Sequence, residues 1–127
     1  MPLVHHELCF GCGRVNLFGL LLEVEPSGAG AVSGRCFLKQ DHQGSDRGRA
    51  HDGILAAALT EAMALACGPS ATAIALAVEL AEAPPVGTFL TVEARVEGRD
   101  GATARATATA ASDDRRIVAR GRGRFQR

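Results

Sequence analysis

One segment of this chain, from Asp52 to Cys67, constrains the fold more than any other. Its pattern predicts a long helix that is rich in alanine and apolar around most of its circumference. Gly68-Pro69 follows directly and is a common stop signal for a helix. A helix with so little polar surface has to be covered on most sides, so the rest of the chain must curl around it.

Segments with alternating apolar residues flank this helix and predict β-strands. Two precede the helix and four follow it, and turns are predicted at 26–30, 98–101 and 112–114. The predicted strands are Gly19–Glu25, Ala31–Leu38, Ala71–Ala83, Phe89–Glu97, Ala102–Ala111 and Arg116–Phe125. The order β-β-α-β-β-β-β predicts an α+β fold in which an antiparallel sheet curls around one central helix.

Length and composition favour a single domain over residues 1–127. The 14 basic residues balance the 14 acidic ones, which is not typical of a nucleic-acid-binding protein. No apolar run approaches the roughly 20 residues of a membrane span, and the first residues do not resemble a signal peptide. We therefore expect no nucleic-acid or membrane partner, a cytoplasmic location and reduced cysteines.

The start of the predicted helix offers groups that suit acyl chemistry. A helix N-terminus has unpaired N–H groups and a partial positive charge, so it can polarise a carbonyl. Gly53 would let a ligand approach this backbone closely, and His51 and Asp52 precede it. Asp52 also suits a purely structural role as an N-terminal cap.

Two polar residues, Thr60 and Glu61, interrupt the apolar run further along the helix. A buried carboxylate is costly unless it is paired, so Glu61 is a candidate catalytic base and Thr60 a candidate for holding water. Adjacent helical residues point about 100° apart, so the two cannot face one pocket equally well. The alternative is that Glu61 has no catalytic role and is partly exposed or lies at a subunit contact.

A single Cys-x-x-Cys, formed by Cys9 and Cys12, lies just after His5 and His6. Four such donors could in principle bind zinc, and the cysteines could form a redox pair. The chain has no second Cys-x-x-Cys, and its other two cysteines are isolated. We therefore expect a role in a turn or in core packing, with no metal ion and no cofactor.

The polar segment 39–49 predicts a loop that is long enough to suggest a function. His42, Arg47 and Arg49 in this loop are candidates for substrate binding, because arginine pairs well with phosphate. Arginine residues alternate along the last predicted strand and form a basic ladder. This ladder has two interpretations: the arginines bind phosphate, or their charges keep an exposed edge strand soluble. Its members are Arg120, Arg122 and Arg124.

Several short motifs follow one another at spacings that resemble a known family. They are Cys9-Phe10-Gly11-Cys12-Gly13, Asn16, Gly19-Leu20, His51-Asp52-Gly53, Thr60-Glu61-Ala62-Met63 and Pro85-Val86-Gly87. Each motif is weak alone, but together they span nearly the whole chain. The sequence resembles the hotdog-fold acyl-CoA thioesterases, and most of all the small single-domain branch related to the phenylacetate-pathway thioesterases.

This resemblance implies hydrolysis of an acyl-CoA or similar thioester by a homodimer, which in the family is commonly paired again into a dimer of dimers. The site would lie at the dimer interface, with the Gly53 N–H on the carbonyl. The family's catalytic Asp or Glu comes from the other subunit, nine residues after the histidine, where this chain has Thr60. Asp52 replaces the first glycine of the usual His-Gly-Gly, and the family's Cys-x-x-Cys is not a metal site.

These two departures leave further functions open. The chemistry would be rearranged, with Asp52 or Glu61 as base, or the protein would bind an acyl-CoA without hydrolysing it. A third hypothesis is a hydratase or dehydratase of the same fold. Ala50-His51-Asp52-Gly53 faintly resembles the Ala-His-Gly of enoyl-CoA hydratases, and Asp46 and His51 have that family's spacing of five residues.

Overall fold

A computed structural model describes all residues from 1 to 127 and contains one α-helix and six strands. The helix, α1, spans Asp52–Cys67, as the sequence predicted. The strands are β1 (Glu23–Gly28), β2 (Ala31–Phe37), β3 (Thr72–Leu80), β4 (Phe89–Asp100), β5 (Thr103–Ala111) and β6 (Ile117–Gln126), and a short 3-10 turn spans Gln40–His42. The predicted element order is confirmed.

The six strands form one antiparallel sheet in the order β1-β2-β4-β5-β6-β3. The sheet curls around α1, which packs against β2, β3, β4, β5 and β6. α1 is not long and apolar enough to cross a membrane. The predicted fold class, a curled antiparallel sheet around one helix, is therefore confirmed.

Small side chains let the helix and the sheet approach closely. Leu55, Leu59 and Met63 of α1 are fully buried, and they meet a sheet surface built largely from alanine and glycine. A Cβ added at Gly121 would lie 3.3 Å from Met63 and 3.4 Å from Leu59. Close packing of this kind is sensitive to even one added methyl group.

The bounds of β1, β3 and β4 differ most from the prediction, and β3 ends at Leu80 instead of Ala83. β1 begins at Glu23 and runs through Pro26 to Gly28, a segment that the sequence indicated as a turn. Proline lacks the N–H for a ladder bond, but β1 lies at the sheet edge, where proline is tolerated, and its register shifts between Pro26 and Gly28. β4 continues to Asp100, so the predicted hairpin turn shortens to 101–102.

The segment before β1 packs beside α1. Leu20 and Leu22, predicted as part of the first strand, instead donate backbone hydrogen bonds to Phe10 O at 2.7 Å and Gly11 O at 2.8 Å. Leu3 N donates to Val24 O at 2.9 Å, which ties the first residues to β1. The N-terminal residues are thereby held against the helix side that carries Glu61.

Candidate functional site

The side of α1 that faces away from the sheet is divided between two surroundings. Gly53 and Thr60 are seven residues apart, so they point within about 20° of each other and lie about 10 Å apart along the axis. Glu61 is turned about 100° from Thr60. Gly53 is exposed, whereas Glu61 is covered by the N-terminal segment.

The first turn of α1 is exposed and carries its own cap. His51, Asp52 and Gly53 are all exposed. The Gly53 N–H donates to His51 Nδ1 at 2.8 Å, so the histidine is the N-terminal cap in place of the aspartate. Asp52 lies in the first helical turn, where its negative charge interacts favourably with the positive end of the helix dipole. A substrate carbonyl can reach the Gly53 N–H only after the His51 ring rotates away.

Thr60 is half-buried on the same side as Gly53. Its hydroxyl donates to Ala56 O, one turn earlier, at 2.7 Å. This common helical bond uses the hydroxyl proton. The oxygen lone pairs remain able to accept a hydrogen bond from water.

Glu61 points away from this side and into a group of N-terminal side chains. Its Oε2 lies 2.8 Å from His5 Nδ1 and 3.4 Å from Cys9 Sγ. The side chains of His5 and Glu61 are only 17% and 13% exposed. A Cβ at Gly11 would lie 2.3 Å from Glu61 Cδ, so the glycine makes room for the carboxylate.

Cys12 completes this group and is fully buried. Its Sγ accepts a hydrogen bond from His5 N at 3.1 Å and lies 3.5 Å from His5 Nδ1. Burial, together with the nearby Glu61, raises the pKa of the Cys12 thiol to about 12. Four donor atoms, from His5, Cys9, Cys12 and Glu61, lie within 4.8 Å of one another. We call these four residues the N-terminal cluster.

Sequence reasoning missed the N-terminal cluster as a unit. It recognised the Cys-x-x-Cys with His5, and separately the unexplained acid at Glu61, but it did not join them. The expectation that no metal binds was therefore made without the fourth donor. The available signal was the acid itself, because a carboxylate on an apolar helix requires a partner.

The loop before α1 places its candidates differently. His42 is buried, its Nδ1 accepts from Lys39 N at 3.0 Å and its Nε2 has no partner. Burial, with a smaller effect of the Lys39 charge, lowers the pKa of the His42 imidazole. His42 is therefore enclosed within the loop and does not present its ring to the exterior, where a substrate would approach.

The arginines of this loop are exposed. Arg49 Nη1 donates to Ala83 O at 3.2 Å, and Arg47 makes no polar side-chain contact. The aspartate and histidine of the hydratase hypothesis, Asp46 and His51, share no hydrogen bond, and the ring of His51 bonds to Gly53 instead. The basic ladder lies on the outer face of the sheet, away from α1, with Arg120, Arg122 and Arg124 all exposed.

Solved structures of known proteins share the architecture of this chain. No protein-family model matches the sequence, and no curated protein matches it. Solved structures do match. The Escherichia coli PaaI protein from the phenylacetic acid degradation operon superposes with a TM-score of 0.78 and 21% identity, over 85% of this chain and 80% of that chain.

Two further structures agree. A mutant of the phenylacetic acid degradation protein PaaI from Thermus thermophilus has a TM-score of 0.75 and 24% identity, over 84% of this chain and 92% of that chain. Zebra fish thioesterase superfamily member 2 has a TM-score of 0.74 and 19% identity, over 83% of this chain and 80% of that chain. Identities this low establish a shared architecture, and this chain therefore has the hotdog fold that its sequence predicted.

Proposed function

We propose that this protein hydrolyses an acyl-CoA or a related thioester at a site formed by two subunits. One observation carries the proposal: in the exposed first turn of α1, Asp52 directly precedes Gly53, whose N–H lies at the helix N-terminus. A base and a carbonyl-polarising group in one helical turn are the minimum equipment for hydrolysis. The fold supports the proposal, because the matching structures include a thioesterase superfamily member.

The helix geometry supports a site between two subunits. Gly53 and Thr60 point in one direction but lie about 10 Å apart along the axis, so one thioester carbonyl cannot contact both on the same helix. A second copy of α1 running beside the first would bring the Thr60 of one subunit to the Gly53 of the other. We therefore propose a homodimer as the active unit.

Strand β3 supports this dimer. It is an edge strand, paired only with β6. Its residues Ile74, Leu76 and Leu80 are 48%, 47% and 43% exposed. Leu76 pairs with Gly123, two residues from the helix-facing Gly121, so it lies on the helix side of the sheet. An unpaired edge with exposed apolar side chains favours pairing with a second copy.

The proposed reaction uses groups of both subunits. The His51 ring turns aside, and the Gly53 N–H then donates to the thioester oxygen. A water held by the Thr60 oxygen of the partner subunit attacks the carbonyl carbon and passes its proton to Asp52. The carbon–sulfur bond breaks, the CoA sulfur takes that proton, and the acid is released.

The charge on Asp52 fits this order of events. An ionised carboxylate beside the carbonyl would oppose the negative charge that develops on its oxygen. When Asp52 accepts the proton during attack, it becomes neutral as the oxyanion forms. In this proposal Asp52, which stands where the family has a glycine, takes over the role of the base from the family's acid at the position of Thr60.

The exposed loop arginines complete the proposal. Arg47 and Arg49 lie just before the first turn of α1, where they can pair with the phosphates of coenzyme A. His42 is enclosed, so we leave it out of the binding surface. Association of two dimers and a cytoplasmic location stay predictions.

A second candidate function, binding of an acyl-CoA without hydrolysis, is favoured by the position of Glu61. The carboxylate nearest to the family's catalytic position is held by His5 at 2.8 Å and by Cys9 at 3.4 Å. Glu61 is therefore not free to activate water on the Gly53 side. Unless Asp52 serves as base, the site has a carbonyl-binding helix end and no proton acceptor.

A panel of acyl-CoAs with a thiol-reactive dye tests both candidates. We expect the wild type to release CoA and Asp52→Asn to lose at least about 100-fold in kcat. The matched control is Asp113→Asn, an exposed acid in the turn before β6, which should retain full activity. Turnover that survives Asp52→Asn but is abolished by Glu61→Gln would overturn the assignment of Asp52.

The second candidate predicts a different pattern. The wild type would bind acyl-CoA in a calorimetric titration but release no CoA with any member of the panel. Thr60→Asp, which restores an acid at the family's position, would then gain turnover. Absence of both binding and turnover across the panel would reject the acyl-CoA proposal altogether.

A further inference from the structure

The N-terminal cluster gathers four potential metal ligands from two distant parts of the chain. His5, Cys9 and Cys12 come from the N-terminal segment, and Glu61 comes from α1. Cys9 Sγ lies 3.6 Å from His5 Nδ1 and 3.4 Å from Glu61 Oε2, and Cys12 Sγ lies 3.5 Å from the same His5 nitrogen. All four donor atoms lie within 4.8 Å of one another.

The His5 ring nitrogen cannot bond to all of its neighbours in this cluster at once. Both thiols and the Glu61 carboxylate approach the same atom, His5 Nδ1. A ring nitrogen has either one proton or one lone pair, so it can serve one of these partners well at a time. A cysteine–histidine–acid catalytic triad would instead use the two ring nitrogens for different partners. The four donor atoms lie within 4.8 Å of one another, which is the mutual proximity expected of ligands around one cation.

The spacing suits a tetrahedral ion. Zinc binds cysteine sulfur at about 2.3 Å and histidine nitrogen or carboxylate oxygen at about 2.0–2.2 Å. Ligand atoms at tetrahedral angles then lie roughly 3.5 Å apart. Three separations that involve a sulfur, at 3.4, 3.5 and 3.6 Å, already have this value. The contact between His5 and Glu61, at 2.8 Å, has to lengthen, and the remaining pairs lie within 4.8 Å.

The backbone holds the ligands in place. Gly13 N donates to Cys9 O at 2.9 Å and closes the turn between the cysteines. The His5 N–H donates to Cys12 Sγ at 3.1 Å and fixes the position of that sulfur. Gly11 leaves the space that Glu61 occupies. The site is therefore built by the fold and is not a chance meeting of flexible side chains.

We propose that His5, Cys9, Cys12 and Glu61 bind one zinc ion in a tetrahedral site. Two thiolates, an imidazole and a carboxylate form a borderline-soft donor set that favours zinc over magnesium or calcium. All four positions are filled by protein, as in a structural zinc site. The ion would clamp the N-terminal segment to the middle of α1. The proposal does not rest on the proposed hydrolysis, which uses the other side of the helix.

Metal analysis of tag-free protein, purified with reductant and without chelator, tests this proposal. We expect about one zinc ion per protomer after growth with added zinc. Cobalt(II) replacement should give the absorption of four-coordinate cobalt with a thiolate charge-transfer band. Protein with fully reduced thiols that binds neither zinc nor cobalt would overturn the proposal.

Variants identify the ligands. We expect His5→Asn, Cys12→Ser and Glu61→Gln each to weaken zinc binding at least about 100-fold in competition with a chromophoric chelator. His6→Asn and Cys36→Ser are the matched controls and should bind as the wild type does. His6 is exposed and accepts from Leu8 N, and Cys36 is buried in β2.

Circular dichroism separates ligand loss from misfolding. We expect Glu61→Gln to keep the wild-type spectrum while it loses zinc, because glutamine fills the same space. Zinc that stays bound in folded Glu61→Gln and His5→Asn, or that is lost equally in the two controls, would reject this ligand set.

Discussion

The two outward sides of α1 differ in how much of a site one chain can build. On the side of Glu61, the N-terminal segment covers the helix and brings every donor within 4.8 Å of the others. On the other side, Gly53 is exposed and Thr60 is half-buried, and the two residues lie about 10 Å apart along the axis. The proposed zinc site is complete within one chain, whereas the proposed hydrolytic site needs another subunit. Each side has one acid: Glu61 lies in the N-terminal cluster and Asp52 at the helix N-terminus.

This difference separates two kinds of dependence. A site within one chain responds to changes in its own ligands and their packing. A site between two chains also depends on the association of the subunits, so it can be lost even when its own residues are intact. The two sides of one helix can therefore be tested independently in the same protein.

The largest effect is expected from a charge on the β3 edge. Leu76→Asp places a carboxylate on an exposed apolar strand that we propose to be buried in the dimer. Burial of an unpaired charge costs several kcal/mol, so we expect the dimer to weaken by at least about 100-fold and turnover to fall in parallel at low protein concentration. Zinc content should not change. Light scattering, kcat and metal analysis on one sample measure all three.

Ile117→Asp is the control for this experiment. Ile117 is an exposed apolar residue, 38% accessible, at the start of β6 and not on the edge strand. It should leave the dimer and the turnover as they are. A monomeric Leu76→Asp protein with full turnover would show that the Gly53 side is complete in one chain, which would remove the contrast between the two sides.

An intermediate effect is expected from a single methyl group at Gly11. The added Cβ would lie 2.3 Å from Glu61 Cδ, so the carboxylate must move. Displacement of a supporting contact typically costs a metal site about 10- to 100-fold in affinity, which we expect for zinc in Gly11→Ala. Turnover should remain within about twofold, because Asp52 and Gly53 lie on the other side.

Gly28→Ala is the matched glycine control, since a Cβ there meets only Ala31 at 3.9 Å. A loss of turnover in Gly11→Ala equal to its loss of zinc affinity would mean that the two sides are coupled. The division of α1 into independent halves would then be wrong.

Features of the fold that depend on neighbouring residues were predicted from the sequence, whereas features that depend on contacts between distant residues were not. The bounds of α1 were readable because a local apolar run and Gly68-Pro69 define them. β1 was misplaced because Pro26-Ser27-Gly28 has turn composition, and its position at the sheet edge cannot be seen locally. The sequence predicted that the Gly53 N–H polarises a carbonyl, which stays a prediction, but it did not show that this N–H is bonded to the His51 ring.

The N-terminal cluster was out of reach for a similar reason. Glu61 is separated from Cys12 by most of the first half of the chain, so only the fold brings them together. Local spacing offered three of the four donors and, in the absence of a second Cys-x-x-Cys, favoured no metal. The cost of burying a carboxylate indicated that Glu61 had a partner, but could not identify it.

The smallest effect is expected from His42, which lies in the loop before α1 and bonds to the residue that caps the helix. Its backbone oxygen accepts from His51 N at 2.8 Å, so the loop that encloses its ring also anchors the start of the helix. Burial lowers the pKa of this imidazole below its ordinary value, so the unfolded chain binds a proton more readily than the folded one. The free energy of unfolding should therefore decrease as the pH falls below about 6.5, and level off below the folded pKa.

His42→Asn tests this prediction, because the asparagine oxygen can still accept from Lys39 N while it does not titrate. Denaturant unfolding at about pH 7.5 and about pH 5.5 should show a smaller loss of stability in His42→Asn than in the wild type. The two proteins share every other titrating group, so the difference isolates His42. His6→Asn, at an exposed histidine, should behave as the wild type does. An equal loss of stability in the wild type and in His42→Asn would contradict this prediction. It would mean that the His42 ring is protonated as easily in the folded protein as in the unfolded chain. The start of α1 would then not depend on a neutral His42 ring.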